Sequence, residues 1–239
     1  MKSTKDPEYP PPTHIGRYEV VQNVGKGGMG EVYLCWDPHF DRQVAVKRIR
    51  PDLVPLPRIR HRFLREARIA GQLSHPSIIP IFELEEGAEP YYVMPYLRGK
   101  TLRALLSASS EIAPAIPSLL RVFLQICQAV AYSHSRGILH RDLKPENIIV
   151  GDFGEVVLLD WGLAKTAEEP DSTVEQTEQD PHVTSVGKIV GTLAYMAPER
   201  TLKQSATVLT EIYALGVILY QILCLRLPFK RKNFKEFRK

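Results

Sequence analysis

The sequence predicts an α+β chain of two unequal lobes, a small β-rich one and then a larger, mainly helical one. Three observations carry this expectation. Up to Met94, five strand-like runs surround a single amphipathic helix, and beyond the linker-like Pro95-Tyr96-Leu97-Arg98-Gly99 the apolar period turns helical. The stretch His140-Arg141-Asp142-Leu143-Lys144-Pro145-Glu146-Asn147 then sets a carboxylate, a lysine and a carboxamide at fixed offsets, after an apolar helix and before a hairpin. The chain has 239 residues, 44% hydrophobic and 24% charged, which leaves ample room for a core.

Charge argues against a nucleic-acid partner. The net charge is +4, but the last ten residues alone carry six Lys or Arg and one Glu, so the remaining body is close to neutral. A basic end of this kind reads as solvated. The three cysteines, Cys35, Cys127 and Cys224, lie far apart without metal-ligand spacing. They read as small core residues of a reducing, cytoplasmic compartment. Residues 1–17, with Pro7 and Pro10-Pro11-Pro12, read as a disordered lead-in with no signal peptide. The longest apolar run, residues 212–225, is too short to span a bilayer, so no transmembrane segment is expected.

In chain order, strands are expected at residues 18–24 and 31–36, flanking Gly25-Lys26-Gly27-Gly28-Met29-Gly30. Four glycines in six residues weaken a strand unless the backbone must approach something closely. Backbone N–H groups over phosphates would be such a case, although a hairpin tip looks similar. The strand–strand context disfavours a dinucleotide fold. A third strand, residues 43–49, puts Lys47 on the face of Ala45 and Ile49. An unpaired lysine there is costly. The helix at residues 58–73 places Phe63, Glu66, Ala67 and Ala70 on one stripe, so a Lys47–Glu66 ion pair is predicted. Strands at residues 78–84 and 91–94 complete the first lobe.

After the linker, residues 119–136 form a helix with Leu120, Leu124, Cys127, Ala131 and His134 on one stripe, ended by Gly137. The hairpin around Gly151-Asp152-Phe153-Gly154 folds Asn147 toward Asp160. Two hard oxygen ligands beside Asp142 suit Mg²⁺, with substrate phosphate completing the shell. Residues 162–188 form a long acidic loop rich in hydroxyls. A last apolar helix spans residues 211–225.

In type and in order, these residues resemble a eukaryotic-type (Hanks-type) bacterial serine/threonine protein kinase, similar in particular to the chlamydial kinases of that type in Gly154-Glu155-Val156-Val157 and Asp160-Trp161-Gly162. The resemblance runs over residues 18–229. It implies the bilobal protein-kinase fold, with an N-lobe at 18–94, a hinge at 95–99 and a C-lobe at 100–229. The C-lobe is expected to be truncated at its C-terminus, with residues 230–239 a basic tail or the start of a missing segment. By the resemblance, Asp142 is the base, Lys144 a γ-phosphate contact, Lys47 the phosphate anchor and Glu66 its partner. Asn147 and Asp160 are the metal ligands. Gly25, Lys26, Gly27, Gly28, Met29, Gly30, Val32, Ala45, Lys47, Met94, Pro95, Leu97 and Ile149 meet ATP. Thr192, before Ala197-Pro198-Glu199, belongs to the substrate segment, bonding Lys144 and Asp142.

The activity this resemblance implies is that of a non-specific serine/threonine protein kinase using ATP with Mg²⁺, or Mn²⁺ in its place, on protein substrates. Arg141 before Asp142 resembles kinases whose activation loop is ordered by phosphorylation. Thr184 and Ser185 are the first candidate acceptors, with Thr177, Thr173 and Ser172 behind them, and dimerisation during autophosphorylation is the partner reading. Departures are Trp161 for Phe, Pro95 for the hinge Glu, and Glu211 for an Asp that bonds the catalytic-loop backbone. With the short C-lobe, they leave as an alternative a weakly active or non-catalytic kinase-like protein that binds nucleotide or a partner. A small-molecule phosphotransferase shares the metal logic but does not account for Lys144.

Overall fold

Alternating apolar residues fold the first part of the chain into one antiparallel sheet. Its strands are β1 (His14–Ile15), β2 (Tyr18–Lys26), β3 (Gly30–Asp37), β4 (Arg42–Ile49), β5 (Glu83–Glu85) and β6 (Tyr91–Pro95), in the order β1-β2-β3-β4-β6-β5. The computed structural model describes residues 10–108, 116–166, 193–202 and 204–229. These divide into two units: the described residues up to Gly71 with Pro80–Tyr96, and Gln72–Ile79 with the described residues from Leu97 onward.

Period-two patterning gives the first unit two apolar layers. Tyr33, Cys35, Val44, Val46, Tyr91 and Val93 point to one face and pack with Ile15 and Tyr18. On the other face, Ile49 and Tyr92 pack with Leu53 and with Ile59, Phe63, Leu64 and Ala67 of helix α1 (Pro57–Gln72). Proline opens α1 without loss, because an N–H in the first turn has no intrahelical acceptor.

Two expectations for this unit are corrected. Residues 14–17 are not a lead-in. His14 and Ile15 pair with Glu19 and Tyr18, Val20 N–H donates to Thr13 O at 2.9 Å, and Arg17 meets Glu83 at 2.6 Å. Gly16, at φ +57°, passes so close under the Tyr91 hydroxyl that no Cβ fits. The strand expected at residues 78–84 is also divided. Pro80 offers no N–H to a ladder. Only Glu83–Glu85 joins the sheet, whereas Ile78 forms a parallel bridge with Leu158 in the second unit.

The second unit contains α2 (Leu102–Ala108), α3 (Ile116–Ser135), α4 (Pro198–Thr201) and α5 (Val208–Cys224). Short strands β7 (Lys100–Thr101), β9 (Ile148–Val150) and β10 (Val156–Leu158) form one small sheet, and β8 (Ile138–Leu139) pairs with β11 (Lys165–Thr166). Helix α3 packs against α5, β8 and β10. Its buried stripe is Leu119, Val122, Ile126, Ala129, Val130 and Ser133. The stripe expected through Leu120 and Leu124 is therefore displaced by one position, and both leucines are exposed. Gly137, at φ +69°, ends the helix as expected and donates to His134 O at 2.9 Å.

Helix α5 starts earlier than its apolar run suggests. Thr207 and Thr210 form a reciprocal capping box, which satisfies two N–H groups at the helix start. By length and composition α3 could cross a membrane, but its buried stripe is that of a helix packed in a core. The cysteines are all free, yet only Cys35 is a core residue. Cys127 is half-buried and Cys224 is exposed.

Candidate active site

Two clusters hold the chemistry, one on each unit. On the first, β4 and α1 deliver the expected ion pair: Lys47 Nζ lies 2.5 Å from Glu66 Oε1, with the lysine side chain 17% and the glutamate 4% exposed. The pair depends on register. Lys47 stands opposite Val32 on β3 and Tyr92 on β6, while Ala45 stands opposite Leu34 and Met94. Val32, Ala45, Lys47 and Met94 therefore share one sheet face. Tyr92, which sequence reasoning missed, donates its hydroxyl to Glu66 Oε1 at 2.7 Å. The signal available for it was its place in the row of Lys47, which pattern alone does not reveal without the register.

Of the glycines between positions 25 and 30, Gly30 is needed by the sheet itself. A Cβ there would stand 2.6 Å from the Arg48 carbonyl oxygen, whereas at Gly25 and Gly27 the nearest atoms would be 4.0 and 3.4 Å away. The fold alone does not demand glycine at those two positions. Gly25 and Lys26 pair with Val32 and Glu31, so the loop is short. Met29 packs against the α1 cluster and its carbonyl accepts Arg50 N–H at 3.2 Å. The Met29 side chain is thus partly buried against α1. Gly30→Ala is expected to push β3 from β4 beside Lys47 and cost about 1–3 kcal/mol in a denaturant melt.

On the second unit, residues 140–147 form a closed network. His140 Nδ1 accepts Asp142 N–H at 3.2 Å, so Nε2 carries the proton and donates to Leu159 O at 2.8 Å. The His140 ring meets Trp161 edge-on at 4.6 Å. Trp161 is buried, and its indole N–H has no partner among the described residues. Asp142 Oδ2 accepts from Lys144 Nζ at 2.6 Å and from Asn147 Nδ2 at 3.0 Å. Asp142 Oδ1 is buried without a partner among the described residues. Burial pushes the Asp142 carboxyl above the ordinary aspartate range; the Lys144 ammonium opposes this and the Asp160 charge adds to it.

Leu159 N–H donates to Asn147 O at 2.8 Å, so Asp160 comes directly after the residue opposite Asn147. Asp160 sits at φ +61° and is exposed. Because Asn147 turns its amide N–H groups to Asp142 O and Oδ2, its carboxamide oxygen faces the other way. An amide oxygen and an exposed carboxylate are hard donors that suit Mg²⁺ or Mn²⁺. Ile149 lies on β9 opposite Thr101, Pro95 ends β6 opposite Val44, and Leu97 is half-buried in the second unit. Thr192 and the hydroxyls at 172, 173, 177, 184 and 185 lie outside the described residues.

Glu211, despite standing where the family has an Asp, braces the backbone of the 140–147 loop. Its Oε1 accepts Arg141 N–H at 2.6 Å, at a residue held at φ +69°, and its Oε2 meets His134 Nε2 at 2.6 Å. His134 thus ties α3 to the loop through α5. The Glu211 side chain is only 3% exposed. Glu211→Ala is expected to cost about 2–3 kcal/mol in stability and to slow turnover by up to about 10²-fold through misplacement of Asp142. Thermal melts and initial rates would check both.

Comparison with known proteins places the chain in a family. The protein kinase domain family matches residues 18–239, and the chain belongs to it. Its fold is that of the protein kinase domain, as the sequence resemblance implied. Among curated relatives, it is 48% identical to the serine/threonine-protein kinase PknD of Protochlamydia amoebophila, over 100% of this chain and 26% of that protein. It is 47% identical to PknD of Chlamydia pneumoniae and 48% to PknD of Chlamydia caviae, over 92% and 91% of this chain and 25% of each relative. The chain thus spans about a quarter of the length of the relatives it matches.

Proposed function

We propose that this chain is a protein serine/threonine kinase domain that transfers the γ-phosphate of ATP to protein hydroxyls. The observation that carries this reading is the Asp142 carboxylate. One oxygen is fixed by Lys144 and Asn147, and the other is buried with no partner among the described residues. A buried acceptor oxygen without a donor is costly. A substrate hydroxyl would satisfy it and be oriented by it. Asp142 then accepts the hydroxyl proton, and Lys144, already at its other oxygen, steadies the migrating phosphoryl group. Lys47, aligned by Glu66, neutralises phosphate charge. By the sequence resemblance, Val32, Ala45, Met94, Pro95, Leu97 and Ile149 are ATP contacts, and Gly25 to Gly30 would supply backbone N–H groups to phosphate.

Asn147 and Asp160 would hold the Mg²⁺ or Mn²⁺, which supplies charge neutralisation at the phosphates. The PknD relatives are serine/threonine kinases by name, and Lys144 and Thr192 support that specificity here. Phosphorylation of Thr184 or Ser185, with Thr177, Thr173 and Ser172 behind them, would order the loop after Asp160 against Arg141. Use of ATP and three free cysteines support a cytoplasmic location.

The test is incubation of the purified chain with radiolabelled ATP, Mg²⁺ and a generic basic protein. Label above that of an Asp142→Asn variant is expected, and mass spectrometry of the same reaction should find phosphate between residues 172 and 185. Equal label in both proteins would overturn the catalytic reading and leave a nucleotide- or partner-binding one.

A further inference from the structure

Lys47 and Glu66 are joined on their unit by a third group. Tyr92 is the direct cross-strand partner of Lys47, and its hydroxyl donates to the carboxylate oxygen that also receives the Lys47 ammonium. Tyr92 is 4% exposed and its ring lies against Phe63, with centroids 5.1 Å apart. Phe63 sits one helical turn before Glu66, so the same two residues of α1 grip the ring and its hydroxyl. The Lys47 ammonium stands 5.5 Å from the ring centroid. Packing alone does not require the oxygen, because a phenylalanine would fill the same row. Burial, then the neighbouring Glu66 charge, push the phenol well above its ordinary range, so it remains a donor. The second Glu66 oxygen, Oε2, is buried without a partner among the described residues.

We propose that Tyr92 is a positioning residue for the Lys47–Glu66 pair, its hydroxyl holding the Glu66 carboxylate on the sheet while Lys47 serves phosphate. The inference rests on the kinase reading of this site. A lysine that turns toward phosphate gives Glu66 less of its charge, and a buried carboxylate with a weakened partner is strongly unfavourable. With Lys47 alone, the loss would be relieved by α1 leaving the sheet and carrying Glu66 into water. The Tyr92 hydroxyl is a second donor on the same oxygen, is uncharged, and is not drawn toward phosphate. It raises the fraction of molecules with α1 seated before ATP arrives, and apparent affinity scales with that fraction.

Tyr92→Phe in the full chain removes the hydroxyl and keeps the ring. The KM for ATP should rise about five- to tenfold while kcat stays within about twofold, because saturating ATP repopulates the seated state. Without nucleotide, hydrogen exchange should quicken in peptides from α1 and stay unchanged in β2 and β3. In a Glu66→Gln background, which leaves no buried charge to hold, Tyr92→Phe should have a much smaller effect on both readouts. An unchanged KM with unchanged α1 exchange overturns the proposal. So does a fall in kcat at constant KM, which would place the hydroxyl at the chemical step. Exchange that quickens equally across the whole sheet, as expected for Tyr92→Leu with its lost ring, would make the hydroxyl merely structural and also overturn it. If the wild-type chain transfers no phosphate, the nucleotide-free exchange comparison still decides the role of Tyr92.

Discussion

Asp142→Asn is expected to lower phosphotransfer by about 10²–10⁴-fold, the range typical of a lost general base. The fold should survive. The amide is nearly isosteric, His140 still receives the backbone N–H of residue 142, and Glu211 still holds that of Arg141. The raised carboxyl of Asp142 fixes a second sign. A group whose folded pKa lies above its unfolded value favours folding below the unfolded pKa, and that contribution is lost as pH rises through the folded pKa. At neutral pH the ionised Asp142 therefore works against stability. The variant should melt no lower than the wild type at pH 7 and lose its relative advantage toward acid pH. The proposed role as base runs the other way: it requires Asp142 ionised, so the acid limb of kcat/KM should lie above the ordinary aspartate range. Thermal melts and rate profiles across pH would check both signs. A large drop in melting temperature at neutral pH would mean that the Lys144 and Asn147 contacts outweigh the burial of the charge.

Lys47→Met should remove both activity and stability. Its loss leaves the Glu66 carboxylate, 4% exposed, with Oε2 already unpartnered among the described residues and only the Tyr92 hydroxyl on Oε1. Breaking a buried pair from one side costs about 3–5 kcal/mol, and the remaining Tyr92 bond argues for the lower end. Phosphotransfer should fall by at least about 10²-fold, as when a preorganised charge on a developing anion is removed. The double variant Lys47→Met/Glu66→Gln separates the two effects. Without a buried charge it should regain much of the lost stability in urea melts, yet recover no activity. Recovery of activity in the double variant would show that the lysine acts only by neutralising Glu66.

Much of this was legible in the chain itself. Period-two alternation placed Lys47 on the face of Ala45 and Ile49, and helical spacing placed Glu66 beside Phe63 and Ala67. Both are local geometry, and they account for the meeting at 2.5 Å. The hairpin turn after Val150 likewise brought Asn147 and Asp160 to the same end. Where the expectation slipped, the cause was a local exception or a non-local partner. Pro80 divided one strand, and the Thr207 capping box moved the start of α5. The α3 stripe shifted because α5, β8 and β10 chose its buried face, while its many apolar residues allowed more than one.

The sequence by itself determined the family, the two clusters of chemistry and the order of the elements, because those reside in residue types at short, fixed offsets. Only the tertiary structure decided which side chains hold the clusters in place. Tyr92 reaches Glu66 through strand register, and Glu211 reaches Arg141 and His134 across elements 70 and 77 residues apart. A side chain's reach to a partner so distant along the chain depends on how the elements pack. No pattern local to either residue encodes it.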